Sequence, residues 1–269
     1  MLSWIRISSV SFLFAVLLVL PAQAQNTEQL QVGPPPQHRA QPPAPGASPE
    51  ELEQRGDELR LDKNFLDAIE YYQAALKGAP GNASLFNKIG MCQLLVQRYK
   101  DAKKSFESSI RADRNHSDAY NNLGVTYYET HKNSAAIKEY EKAISLNDDA
   151  GSYYSNLGTA YFAKKQFEKA IQCYSKAVQI DPDIFERSSH AGLQAKLASP
   201  ADRARYDYVL AKLYAKTGAS DRSLHYLKKA MEEGYKDIKD VYKDDEFSAL
   251  RKDPRFAELM AAKTTAIPD

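Results

Sequence analysis

Small and large apolar residues recur along this chain at one spacing. Gly56, Gly90, Gly124 and Gly158 stand 34 residues apart, and so do Ala68, Ala102, Ala136 and Ala170. Tyr72, Phe106, Tyr140 and Tyr174 follow each alanine by four, and Ala75, Ser109, Ala143 and Ala177 come three later, which puts all three positions on one helical face. A second such face is written by Leu123, Gly124 and Tyr127, and again by Leu157, Gly158 and Tyr161. Each unit is therefore two helices, and a period of this size means stacked supersecondary units. The expected fold class is all-α: an α-solenoid of stacked antiparallel helix pairs, with full units at 49–82, 83–116, 117–150 and 151–184. Glycine or alanine at the closest approach of two helix axes lets large side chains interlock on either side, with Gly124 expected to face Ala136. Polar turns such as Thr130 to Asn133 separate the faces, and Pro80 and Pro182 close two units by lacking an N–H and clashing with the preceding turn.

Downstream the phase breaks. Leu210, Ala211 and Tyr214 meet Leu224, Leu227 and Ala230 around a turn at Gly218, which predicts a divergent fifth pair over 204–237. Residues 185–203 then form an insertion. Gly192, Ala204, Tyr208 and Ala211 keep the older phase, which would make the insertion a helix of its own. The offset frame is preferred because Ser199, Pro200 and Asp202 read as a helix start with serine as cap. In the last stretch, 238–269, Phe247, Leu250, Phe256 and Leu259 surround Pro254 and predict a cap over the final apolar face.

The front of the chain is different in kind. Residues 1–24 hold one cation, Arg6, an apolar run from Val10 to Leu20, and Ala22-Gln23-Ala24, the pattern of a cleaved secretory segment. The run of 11 residues falls short of the roughly 20 that cross a bilayer as a helix. Residues 25–48 lack aromatics and carry Pro34 to Pro36, so they are expected to be a disordered proline-rich spacer, since so little apolar surface cannot offset chain entropy.

Charge and chemistry remove several functions. With 36 Lys and Arg against 35 Asp and Glu, the chain has no electrostatic footprint for nucleic acid. Removing residues 1–24 leaves 35 of each. Cys92 and Cys173 lie five helices apart in the expected stack and should stay unpaired, since a disulfide needs Cα atoms within about 7 Å. The five histidines fall at no metal-ligand spacing, no P-loop or nucleophile motif is present, and no cofactor is implied. An exported hydrolase would have to draw on His190, Asp202 and His225, which no spacing links.

The residues YNNLGVTYYETHKNSAAIKEYEKAISLN and YSNLGTAYFAKKQFEKAIQCYSKAVQIDP are similar to the tetratricopeptide repeat family, whose small and large positions they hold almost throughout. The first unit departs with Arg55 where the others have Ile89, Leu123 and Leu157, and the second with Gln93 at a usual tyrosine position; a polar first unit suits an end facing water. The resemblance implies a superhelix whose first helices line a concave groove with unit positions 2, 5, 9 and 12. On that basis the groove residues expected here are Glu53, Asp57, Asn87, Met91, Leu94, Asn121, Asn122, Val125, Tyr128, Ser155, Asn156, Thr159 and Phe162. The Lys and Asn set with which some members clamp an acidic C-terminus is replaced by Glu53, Asp57, Asp118 and Asn122. Asn122 and Asn156 resemble the asparagine ladder with which others hold a peptide backbone. The expectation is an exported adaptor, periplasmic or secreted, without enzymatic activity or stable membrane insertion after cleavage, which binds a protein or extended peptide. Self-association through the solenoid ends is the structural alternative.

Overall fold

The computed structural model describes residues 40–185 and 200–262, so the expected secretory segment, most of the spacer, His190 and the middle of the insertion lie outside the described residues. Every regular element among the described residues is helical. Four helix pairs come first: α1 (Pro49–Leu61) with α2 (Phe65–Gly78), α3 (Ala83–Leu95) with α4 (Tyr99–Ala112), α5 (Ser117–Glu129) with α6 (Asn133–Leu146), and α7 (Gly151–Ala163) with α8 (Phe167–Ile180).

One local solution is used four times. Each inner helix ends on a residue in the left-handed region, Lys63, Gln97, His131 and Lys165, with φ between 58° and 62°. The next N–H then reaches back to a carbonyl five residues earlier, Asn64 to Leu59 at 2.8 Å and Lys132 to Tyr127 at 2.8 Å, which closes the helix and turns the chain. The two helices of a pair meet at the repeated glycine. A Cβ built on Gly124 would lie 2.6 Å from the Tyr140 ring, and one on Gly56 2.5 Å from the Tyr72 ring. The side chain nearest each glycine is the aromatic one turn beyond the repeated alanine, because a flat ring fills the space that a missing side chain leaves; in the fourth pair a Cβ on Gly158 would also lie 3.2 Å from the Ala170 carbonyl. Tyr72, Phe106, Tyr140 and Tyr174 are all fully buried.

Residues 40–47 depart from the expected disordered spacer. The Ala40 N–H donates to Asp67 at 3.0 Å, the Tyr71 hydroxyl donates to the Gln41 carbonyl at 2.8 Å, and Ala40 and Ala47 pack on the core of the first pair. Its composition is too poor in apolar residues to form a core of its own, but it needs none against a helix that supplies one. Ser48 then caps α1 through Glu51 in a reciprocal pair of hydrogen bonds, with Pro49 at the first helical position.

The fifth pair, α9 (Pro200–Lys216) and α10 (Ser220–Glu232), follows another rule. α9 begins at Pro200, at the helix start that Pro200 and Asp202 predict and four residues ahead of the repeat frame at 204, and has 17 residues where the inner helices of the stack have 13. Its start lies beside the start of α8: the Arg205 guanidinium sits 4.9 Å over the Phe167 ring, and Tyr206 is 5.3 Å from Tyr174. Its end lies beyond the end of α8, with the Tyr214 hydroxyl 3.4 Å from the Pro182 carbonyl. α9 therefore runs parallel to α8, where every earlier junction is antiparallel. A four-residue turn such as 79–82 cannot carry the chain back along a helix some 20 Å long, so a parallel junction requires a longer connection than the stack uses. The segment after α10 is three 3-10 turns (Ile238–Tyr242, Asp245–Phe247, Leu250–Lys252) and α11 (Pro254–Ala261). Val241, Phe247, Leu250 and Phe256 bury themselves against α9 and α10, and Leu259 packs at the margin.

Candidate inner-face site

The inner helices α1, α3, α5 and α7 line up their first turns, and one rule links each to the next. The side chain at unit position 6 donates back to position 5 of the preceding unit. Lys88 Nζ reaches Glu53 Oε1 at 2.7 Å, Asn122 Nδ2 reaches Asn87 Oδ1 at 3.1 Å, and Asn156 Nδ2 reaches Asn121 Oδ1 at 3.0 Å. Asn121 Nδ2 in turn donates to Asn122 Oδ1 at 3.3 Å. The asparagines are thus brought together, but as a lock between repeats. Asn121, Asn122 and Asn156 are buried, and a buried amide network of this kind fixes the rotation of one helix pair on the next.

Sequence reasoning passed over Lys88, which turns out to organise the first junction. It lies 2.6 Å from Asp57 Oδ2 as well as 2.7 Å from Glu53, so the acidic start of the expected groove is neutralised from the following helix. Tyr72 Oη donates to the other oxygen of Asp57 at 2.8 Å, and burial followed by that carboxylate pushes its hydroxyl well above the usual phenol range. The signal was present in the alignment of units: Lys88 holds the register of Asn122 and Asn156. The stripe of positions 2, 5, 9 and 12 considers only one helix at a time, whereas this contact crosses between two.

The two ends of the inner face differ. At the first junction Glu53, Asp57 and Lys88 remain 28%, 34% and 22% exposed, and Met91 is half-buried. Towards the fourth pair Leu94, Val125, Tyr128, Ser155, Thr159 and Phe162 are all buried. Part of that cover is α9. Tyr206 meets Phe162 edge-on at 6.0 Å, and burial, the Glu129 charge and the Asp202 charge push the Tyr128 hydroxyl up to about 12. Asp118 is engaged as well, by the Tyr153 hydroxyl at 2.5 Å.

Of the residues considered for hydrolysis, Asp202 and His225 are not brought together, and His190 lies outside the described residues. Asp202 lies in the first turn of α9, level with the end of α10, where Arg203 pairs with Glu233 at 3.7 Å. His225 is exposed on α10 against Tyr226, eight residues or about 12 Å of helix before Glu233. Cys92 and Cys173 are free thiols on different helix pairs, and burial pushes them up to about 12 and about 11, which keeps both protonated at neutral pH.

Family models of the tetratricopeptide repeat match residues 117–150 and 152–184. Over these residues the chain carries tetratricopeptide repeats. Among solved structures, the crystal structure of MamA is 27% identical, covering 66% of this chain and 93% of that one, with a TM-score of 0.47. The structure of MamA 41-end from Desulfovibrio magneticus RS-1 is 17% identical, covers 69% and 94%, and has a TM-score of 0.49. PilF from Pseudomonas aeruginosa is 16% identical over 75% of this chain and 87% of its own, with a TM-score of 0.52 that shows the shared fold. No curated protein matches the chain in sequence. Repeats of this family are protein-interaction scaffolds, and that is the role their presence gives the chain.

Proposed function

We propose that the protein is an exported scaffold that holds an extended segment of another protein along the inner face of its first two repeats. Export rests on the apolar run ahead of Ala22-Gln23-Ala24. Among the described residues no helix is long and apolar enough to cross a membrane. The binding site rests on one observation, the Glu53–Lys88–Asp57 triad. The Lys88 ammonium lies within 2.7 Å of both carboxylates, yet each of the three side chains keeps a fifth to a third of its surface in solvent. An ion pair so exposed adds little to stability. It is instead a replaceable contact: an incoming cation takes the two carboxylates, and the displaced Lys88 ammonium is free to meet a backbone carbonyl of the same ligand. The half-buried Met91 on the next turn supplies the apolar neighbour, and the Asn87 to Asn156 lock keeps the floor rigid.

The test is selection of extended peptides from a random library on the full chain. The expected winners carry a basic residue followed by an apolar one. The double variant Glu53→Gln, Asp57→Asn should bind them about tenfold less tightly at low ionic strength and with a smaller deficit in salt, since screening weakens exposed pairs first. If no sequence is enriched, or if the winners bind the double variant unchanged, the inner face of repeats one and two is not the site.

A further inference from the structure

The two long edges of the repeat stack carry opposite charge. The turns within repeats, residues 62–64, 96–98, 130–132 and 164–166, have a net formal charge of +4, while the turns between repeats, 79–82, 113–116, 147–150 and 181–183, have −4. On the positive edge Lys63, Lys132 and Lys165 are exposed, as is Lys100 in the first turn of α4, and none makes an ion pair with a described residue. Arg98 is held by Asp101 at 2.8 Å and Lys164 donates to Ser134 at 2.8 Å. The acids at this edge are Asp62, Asp67, Asp101, Glu129 and Glu168, against the cations Lys63, Arg98, Lys100, Lys132, Lys164 and Lys165.

Two further observations fall on that same edge. Three of the four large apolar side chains left exposed among the described residues are there: Leu61 at 73%, Leu66 at 45% and Leu95 at 44%. Leu61 and Leu95 hold the same unit position in neighbouring repeats, each the last residue of its inner helix, so they stand side by side. Ala40, where the described chain begins, also lies there, because its N–H is bound to Asp67 in the first turn of α2.

We propose that this edge docks on a bilayer surface containing anionic phospholipid. Lysines standing in a row on short turns meet headgroup phosphates without burying charge, and leucines between them enter the boundary of the acyl region. A single charged row alone is a solvated surface; cations together with exposed leucines on one edge describe a membrane-facing surface. Docking along an edge leaves the inner face of repeats one and two open, so it does not depend on the peptide reading above.

The experiment uses the full chain with vesicles of pure phosphatidylcholine and of three parts phosphatidylcholine to one part phosphatidylglycerol. Binding to the neutral vesicles sets the background, and the ratio between the two vesicle types reports the edge. The expected ratio at low salt is about tenfold or more, given about fivefold per lysine near an anionic surface. Lys63→Glu, Lys100→Glu, Lys132→Glu and Lys165→Glu together should bring it to one. The same charge change on the opposite side, Lys77→Glu, Arg111→Glu, Lys142→Glu and Lys176→Glu, should leave a preference. Trp4 is the single tryptophan, so in a Trp4→Phe background Leu95→Trp places one indole on the edge; its emission should shift to the blue and be quenched by acyl-brominated lipid. A ratio kept by the edge variant, a ratio lost equally in the control variant, or an indole at position 95 that stays in water overturns the proposal. An edge variant that changes the sedimentation mass while leaving vesicle binding unchanged assigns the edge to a second copy of the chain instead.

Discussion

Residues 49–184 and residues 200–262 build helix pairs from the same small and large positions and join them in opposite ways. In the first region every helix is antiparallel to the one before it, and the junctions are tied by position-6 side chains reaching back to position 5. In the second, α9 runs parallel to α8, and the junction is a cluster of rings: Tyr206 stands 5.3 Å from Tyr174, 6.0 Å from Phe162 and 6.1 Å from Phe185. The Arg222 guanidinium adds a bond to the Pro182 carbonyl at 2.6 Å and an ion pair to Asp183. The directional amide ladder demands one register, whereas edge-to-face rings tolerate a reversed helix provided that the apolar faces meet. The difference shows that a repeat pattern specifies which faces are buried, and that the length of the connection decides the direction in which they are brought together.

The largest effects should separate the two kinds of junction. Tyr140 is fully buried against Gly124 inside the stack, so Tyr140→Ala should cost about 3–5 kcal/mol and move one cooperative denaturation curve. Tyr206→Ala should cost about 2–3 kcal/mol, but the loss falls on the junction, and residues 200–262 should then unfold at lower urea than the stack, giving two transitions by circular dichroism. One transition in both variants would mean that the parallel pair is as firmly part of the cooperative unit as the repeats are. Tyr140→Phe sharpens the contrast, because the Tyr140 hydroxyl is buried without a partner and repeat two already uses Phe106 there; it should raise the melting temperature slightly.

A smaller effect distinguishes the regions by pH. Asp207 on α9 is buried, and burial pushes its carboxyl up to about 6, with Glu233 adding to the rise and Lys229, 3.6 Å away, and Arg203 opposing it. An unfolded aspartate titrates near 3.9, so between about pH 4 and pH 6 the folded chain holds the extra proton and stability falls as pH rises through that window. The parallel pair should be more stable at pH 5 than at pH 7, and Asp207→Asn should remove the difference, gaining on the order of 2 kcal/mol at pH 7 before the lost Lys229 contact is counted. Urea titrations of both proteins at the two pH values decide it; equal stability of the wild type at pH 5 and pH 7 contradicts the assignment.

These contrasts also explain what was legible in the sequence. The period of 34 reported the eight stacked helices, because Gly56 and its equivalents must admit a ring and nothing larger than hydrogen fits beside it. Leu210, Ala211 and Leu227 likewise announced the fifth pair, since their burial is local to α9 and α10. The reversal of α9 left no mark in its own residues: an apolar face reads the same in either direction along the chain. Lys88 was hidden for a related reason, since its two partners, Glu53 and Asp57, lie 35 and 31 residues earlier and only the superposition of units brings them into view. Residues 40–47 look unstructured in composition because the apolar surface they rest on belongs to α2.

The smallest expected effect links the comparison to the charged edge. The turn α9–α10 places Gly218 in the left-handed region at φ 77°, while the four stack turns use Lys63, Gln97, His131 and Lys165 at φ 58° to 62°. A side chain there costs roughly 1–2 kcal/mol in backbone strain, and a glycine loses about 0.5–1 kcal/mol through its freer unfolded chain. His131→Gly should therefore change stability by no more than about 1 kcal/mol, and Gly218→Ala should lower it by about 1 kcal/mol, because a Cβ at 218 meets no atom within 4 Å and the backbone term stands alone. The stack thus retains three titratable or cationic side chains, Lys63, His131 and Lys165, at positions where glycine serves the fold about as well. Fold stability does not require them, and a solvent-facing edge gains only charge from them. Lys63→Gly with Lys165→Gly makes the distinction: thermal denaturation should move by a degree or two, while the preference for anionic vesicles should fall several-fold. A fall in stability of several kcal/mol with vesicle binding intact would return these side chains to the fold and take them from the edge.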